Sequence, residues 1–132
     1  MQPNEPAAWN NRGVANMGRR QYDAAVSDLQ HAVQLSSVYA GAAGNLAIAR
    51  YATGERAAAM REMRALLRRY PGFDDMRAAL AAALWVEGER ALAEDAWQRV
   101  GDARYKDATW ALVDRRWPPP LTEALQALLS LR

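Results

Sequence analysis

The side chains able to do chemistry in this chain are few and poorly placed for it. There is one histidine, His31, and no cysteine. Thiolate nucleophiles, disulfides and cysteine metal sites are therefore excluded, and a histidine-dependent catalyst or metal centre would lack companions. His31 reads as a surface residue. Glu87, Glu89, Glu94 and Asp95 cluster around an expected helix start, where the helix dipole accommodates carboxylates. General acid–base work would need a dry pocket around them, and nothing nearby supplies one. No glycine-rich phosphate loop or nucleophile elbow is present. What remains is recognition. Arg61, Arg64 and Arg68 fall on one helical face with Arg69 beside them, able to receive phosphate or an acidic partner, although Glu55 and Glu62 lie close enough to pair with that face. Trp110 and Trp117 flank Asp114-Arg115-Arg116, either pinning a cap or forming an aromatic and basic edge that docks a partner. The expectation is no enzyme, no cofactor, no metal and no small-molecule substrate.

The elements that must position these residues follow from composition and spacing. The chain has 132 residues, enough for one domain with a proper core. Hydrophobic residues make up 51% of it, much of that alanine, which favours helix throughout. A net charge of +2, from 17 basic and 15 acidic residues, gives no general argument for nucleic acid. No apolar run is long enough to span a bilayer, and the opening Met1-Gln2-Pro3-Asn4-Glu5-Pro6 does not read as a signal or transit peptide. Tyr70-Pro71-Gly72 breaks one helix, and Asp74 and Asp75 suit the positive end of the next.

Counting outward from that junction, a 34-residue step brings three segments into register without insertion or deletion. Ala25, Ala59 and Ala93 coincide, as do Leu29, Met63 and Trp97, then Ala32, Leu66 and Val100. Gly13 matches Ala47 and Ala81, and Gly54 matches Gly88. A helix pair that cannot bury its apolar face alone must stack on another. The spacing predicts helices over 6–17, 22–35, 39–52, 56–69, 74–86 and 90–100, then a single helix over 103–116. An extended break at Pro118-Pro119-Pro120 and a final helix carrying Leu121, Ala124, Leu125, Leu128 and Leu129 complete the chain. This divides it into a lead (1–5), three repeats (6–39, 40–73 and 74–107) and a segment (108–132) expected to cap the last repeat. The first repeat has no such cover, so its face is expected to be bare or covered by another molecule.

These residues resemble the tetratricopeptide repeat family over about 6–107. Trp9, Gly13, Tyr22, Ala25, Leu29, Ala32 and the Leu35-Ser36-Ser37 exit carry the likeness in the first unit. Ala59, Leu66 and Pro71 carry it in the second, and Gly88, Ala93 and Trp97 in the third. Arg12 and Asn16 stand where the family has larger apolar or aromatic residues, and the third unit has no exit proline. The resemblance implies an all-α fold: a right-handed superhelix of three helix-turn-helix repeats plus C-terminal capping helices. In such a fold the first helices line a concave groove, here with Asn10, Asn11, Val14 and Met17, then Asn45, Ile48 and Tyr51, then Ala79, Ala82 and Trp85. Asn11 and Asn45 hold the position at which peptide-binding members hydrogen-bond a ligand's main chain. What is implied is a non-catalytic scaffold for protein–protein interaction, with two amide clamps over an apolar floor.

Three stretches go further: Ala8-Trp9-Asn10-Asn11-Arg12-Gly13, the 61–80 junction, and Ala103-Arg104-Tyr105-Lys106-Asp107 through Arg115-Arg116-Trp117-Pro118-Pro119. They resemble chloroplast tetratricopeptide proteins of plants and algae, which share the Phe73-Asp74-Asp75-Met76-Arg77-Ala78-Ala79-Leu80 run and the Arg-Arg-Trp-Pro-Pro tail. That likeness implies a thylakoid-associated adaptor, not itself membrane-spanning, that binds, assembles or stabilises a photosystem or other thylakoid complex. One alternative is a chaperone adaptor gripping a peptide C-terminus, which needs Lys or Arg on the groove positions, and those carry neither. The other is a helical-repeat RNA binder using the arginine stripe, although the charge balance disfavours nucleic acid.

Overall fold

A computed structural model describes residues 4–131, so that 1–3 of the lead and Arg132 of the capping segment lie outside the described residues. Among the described residues every regular element is helical. Three hairpins come first: α1 (Pro6–Gly18) with α2 (Tyr22–Leu35), α3 (Ala40–Ala52) with α4 (Arg56–Arg69), and α5 (Asp74–Val86) with α6 (Arg90–Gln98). Their first helices open at Pro6, Ala40 and Asp74 and their second at Tyr22, Arg56 and Arg90, a constant 34-residue step. No side-chain cap bond starts any of the six. Packing must hold them instead, as it does for most short helices.

That packing is built on the small residues of the register. Ala25, Ala59 and Ala93 are fully buried. Across from Ala25, Gly13 leaves no room for a side chain, since a Cβ there would lie 2.7 Å from Leu29 Cγ. Leu29, Met63 and Trp97 fill the deeper layer. Successive hairpins stack through α2 on α3 and α4 on α5, while α1, α3 and α5 form an inner row.

The three hairpin turns close in one way. The amides of Gln21, Glu55 and Glu89 donate to the carbonyls of Asn16, Arg50 and Leu84 at 2.8, 3.0 and 3.0 Å, a helix-ending pattern that needs a left-handed residue just before the donor. Gly54 (φ 94°) and Gly88 (φ 86°) supply it in the second and third turns, but Arg20 (φ 61°) occupies it in the first. A side chain in this region costs about 1 kcal/mol or more. Arg20→Gly should therefore raise the unfolding free energy by about 0.5–1 kcal/mol, after allowing for glycine's looser unfolded chain. Urea denaturation measures this directly, and a lower midpoint would contradict it.

Beyond α5 the structure departs from expectation at four points. First, α6 stops at Gln98 instead of 100, because the amides of Arg99 and Val100 tighten onto Ala96 O and Trp97 O at 3.1 and 3.0 Å. Second, Asp74 and Asp75 stand in the first turn of α5 as expected, but their carboxylates also take partners from beyond the helix. Asp74 Oδ2 accepts the amides of Gly101 and Asp102 at 3.2 and 3.0 Å, drawing the chain across the end of α5. Third, the single helix over 103–116 is split into a 3-10 turn (Ala103–Lys106) and α7 (Ala108–Val113). Asp107 divides them, its Oδ1 accepting the amides of Thr109 and Trp110 at 2.9 and 3.4 Å. Fourth, the proline run does not stay extended: α8 (Pro119–Leu131) begins inside it. Two prolines fit a first helical turn, where amides lack intrahelical acceptors and φ is already set. Only Pro118 stays outside.

The position of α8 matters most for function. It packs against α5 and reaches α3. The C-terminal segment therefore folds back along the inner row, with Leu121, Leu125 and Leu128 fully buried in the core cluster of the hairpins.

Candidate functional site

One carboxylate fastens this fold-back. Asp75 lies on the buried side of α5. It accepts two bonds from Arg115, Nε at 3.1 Å and Nη2 at 3.0 Å, with the Tyr105 hydroxyl at 2.5 Å and Trp117 Nε1 at 3.2 Å. Trp110 meets Tyr105 edge-on at 4.9 Å, and the Trp117 ring lies 5.7 Å from Tyr105. The two tryptophans thus pin the tail to the hairpins instead of standing out as an edge.

Burial, then the neighbouring Asp75 charge, pushes the Tyr105 hydroxyl well above the usual tyrosine value. The hydrogen bonds that Arg115 donates to Asp75 raise Arg115 as well. The folded state holds the Tyr105 proton more tightly than the unfolded state does. Its stabilisation is therefore complete below pH ~10 and is lost as pH climbs toward the raised folded value. Unfolding midpoints should fall on stepping above pH ~10. Tyr105→Phe should flatten that fall, though Tyr22 and Tyr51, also raised by burial, leave part of it. An unchanged alkaline slope in Tyr105→Phe would remove Tyr105 from the account.

With the tail in place, the expected groove residues separate into two groups. Ile48, Tyr51 and Trp85 are buried, so the open apolar floor expected of them is corrected. The helices that carry them, α3 and α5, pack against α8. The faces of the Tyr51 and Trp85 rings are also covered by Arg56 and Arg90 at 5.0 and 4.6 Å, one helix further on in each hairpin. The second group stays together. Asn11, Val14 and Asn45, with the buried Met17, line a mouth of about 400 Å³, closed on its other side by Asp114, Arg115 and Arg116 of the tail. Asn11 is exposed there. Asn45 Nδ2 donates to Asn10 Oδ1 at 3.1 Å, and Asn10 Nδ2 donates to the Tyr39 hydroxyl at 3.2 Å. Asn10 is thereby a brace between the first two inner helices.

Arg12 and Asn16, the two departures from the family pattern, replace apolar packing with a polar one. Both reach buried Asp28: Arg12 Nε and Nη2 at 3.0 and 2.6 Å, and Asn16 Nδ2 at 2.9 Å. Arg12 also lies 5.0 Å above the Trp9 ring, which stacks on His31 at 4.4 Å. His31 is thus an exposed stacking partner. The carboxylates near α6 do not enter its first turn, and Asp95 pairs with Arg99 at 3.4 Å.

The basic face is separate from the mouth. Arg61, Arg64, Arg68 and Arg69 are exposed on α4. Glu62, expected to pair with that stripe, pairs instead with Arg50 on α3, and Glu55 accepts from Thr53 at 3.2 Å. Arg69 stacks over Tyr70 at 5.4 Å. No group of three or more His, Cys, Asp or Glu side chains converges to hold a metal ion among the described residues. No helix among them is long and apolar enough to cross a membrane.

Three stacked helical hairpins with this step and these closures form a tetratricopeptide-like superhelix, a class of fold that serves as a protein-interaction scaffold. No family model matches the sequence, and no curated protein matches it. Among solved structures the chain is similar to the crystal structure of MamA, a tetratricopeptide-like protein, at 25% identity and a TM-score of 0.68. The match covers 75% of this chain and 58% of the MamA chain, so this chain spans less than two thirds of that protein's length.

Proposed function

We propose that this protein is a non-catalytic scaffold that receives a segment of a protein partner at the first-repeat half of its concave face. The observation that carries this reading is the mouth between α1, α3 and the tail. It leaves Asn11 exposed, while α8 packs against the inner helices further along. A side-chain amide there can donate to and accept from a partner's backbone at once. In partner capture with the tagged whole chain, Asn11→Ala with Asn45→Ala should weaken binding and Arg61→Ala with Arg64→Ala should not. Equal capture by the asparagine variant would move the contact to another surface.

The α4 stripe supports a second reading, because Arg61, Arg64 and Arg68 make no hydrogen bond or ion pair among the described residues. RNA binding through it would show a steep loss of affinity with salt, and a flat salt dependence would dismiss it. The finer placement, a thylakoid complex as partner, rests on the plastid resemblance of the three stretches. Recovery of photosystem subunits from solubilised thylakoid membranes would support it, and their absence from the captured set would remove it.

A further inference from the structure

Between the α1–α2 turn and the link from α7 to α8 lies a cavity of about 550 Å³. Its charged lining is all cationic: Arg19 and Arg20 come from the turn and Arg116 from the link. Tyr22, Leu112 and Val113 form an apolar wall, with Val113 63% exposed. Asp114 opens onto the neighbouring mouth instead. The arginines are only lightly engaged. Arg19 Nη1 is 3.5 Å from Asn16 Oδ1, and Arg116 Nη1 is 3.4 Å from Val14 O. The Arg20 side chain makes no hydrogen bond or ion pair among the described residues.

A second, independent feature singles out the same place. Among the described residues only Arg20 (φ 61°) and Arg116 (φ 55°) are non-glycine residues at positive φ, and both line this cavity. At the two equivalent turns the chain uses Gly54 and Gly88. Residues held in this strained region cluster at functional sites, and the first turn keeps an arginine where the other two relax with glycine.

We infer that this cavity binds an acidic segment of a protein partner, with two or more carboxylates beside an apolar residue. The guanidinium groups suit the carboxylates, and the Tyr22, Leu112 and Val113 wall suits the apolar residue. The inference rests on the scaffold reading above and names the chemistry of the partner. The site is composite. Arg116 stands beside Arg115, so the fastening at Asp75 brings it to the first hairpin, and the cavity exists only while the tail is folded back.

The test is calorimetric titration of the whole chain with the peptide Glu-Glu-Leu-Glu-Glu and with its glutamine counterpart. The glutamate peptide should bind, more weakly as salt rises, and the glutamine peptide should not. Arg20→Gly should weaken binding about tenfold while raising the urea midpoint. Arg116→Ala should weaken it similarly, and Arg64→Ala should leave it unchanged. Equal binding of the glutamine peptide, unchanged affinity in Arg20→Gly, or equal weakening in Arg64→Ala would overturn the inference. Displacement by inorganic phosphate at the peptide's own concentration would also overturn it, marking an adventitious anion site only. If capture depends on Asn11 but peptide binding ignores Arg20, the scaffold reading stands and this site falls. If peptide binding depends on Arg20 but capture ignores Asn11, the cavity stands and the mouth falls.

Discussion

Asp75→Ala should destabilise the protein by about 3–5 kcal/mol, the usual result of removing one member of a buried charged pair. The carboxylate is only 7% exposed and accepts from Arg115, Tyr105 and Trp117 together. Removing it strands two donors whose residues are themselves buried, Tyr105 and Trp117, at about 1–3 kcal/mol each where no water replaces the acceptor. Arg115 is 37% exposed and can turn partly to solvent, which keeps the total from reaching the simple sum. Asp75→Asn retains one acceptor oxygen and should cost less than Asp75→Ala. Urea titration followed by tryptophan fluorescence would show the difference. A loss below about 1 kcal/mol for Asp75→Ala would mean that the carboxylate is not what fastens the tail.

Leu125→Ala should cost about 2–5 kcal/mol, the range for emptying a filled leucine site. Leu125 is fully buried on α8 and belongs to the same apolar cluster as Ile48 and Trp85. The size of the effect reports where α8 sits. A helix draped over the surface would give a loss well under 1 kcal/mol, because its leucines would be half in water in either state. A loss at the upper end, with an unchanged denaturant slope, is the signature of a helix seated among α3 and α5.

The repeats were legible because the sequence states the same pattern three times. Starts at Tyr22, Arg56 and Arg90 are written in one register, and an error in reading one would show against the other two. The tail has no second copy to compare with. Its breaks depend on single residues, Asp107 capping α7 and Pro119 opening α8, each of which reads locally in more than one way. The groove reading placed Tyr51 and Trp85 on an open face because the repeat register cannot show a segment folding back over it. The two buried carboxylates carry a signal of their own. Asp28 keeps helical phase with Ala25, Leu29 and Ala32, and Asp75 with Ala78, Ala79 and Ala82, all of them buried. A carboxylate in phase with an apolar stripe must find a donor inside the protein. That requirement alone calls for partners such as Arg12 and Arg115.

The tail touches α5 through Asp75, α3 through α8, and α1 where Arg116 reaches Val14 across 102 positions of sequence. An open array of repeats is held only by neighbour-to-neighbour contacts, so units can be added or removed with local consequences. Here the far end is strapped back to the beginning. The number of hairpins between α1 and the tail is set by the reach of that strap, and splicing a further unit into the middle would pull Arg116 off α1.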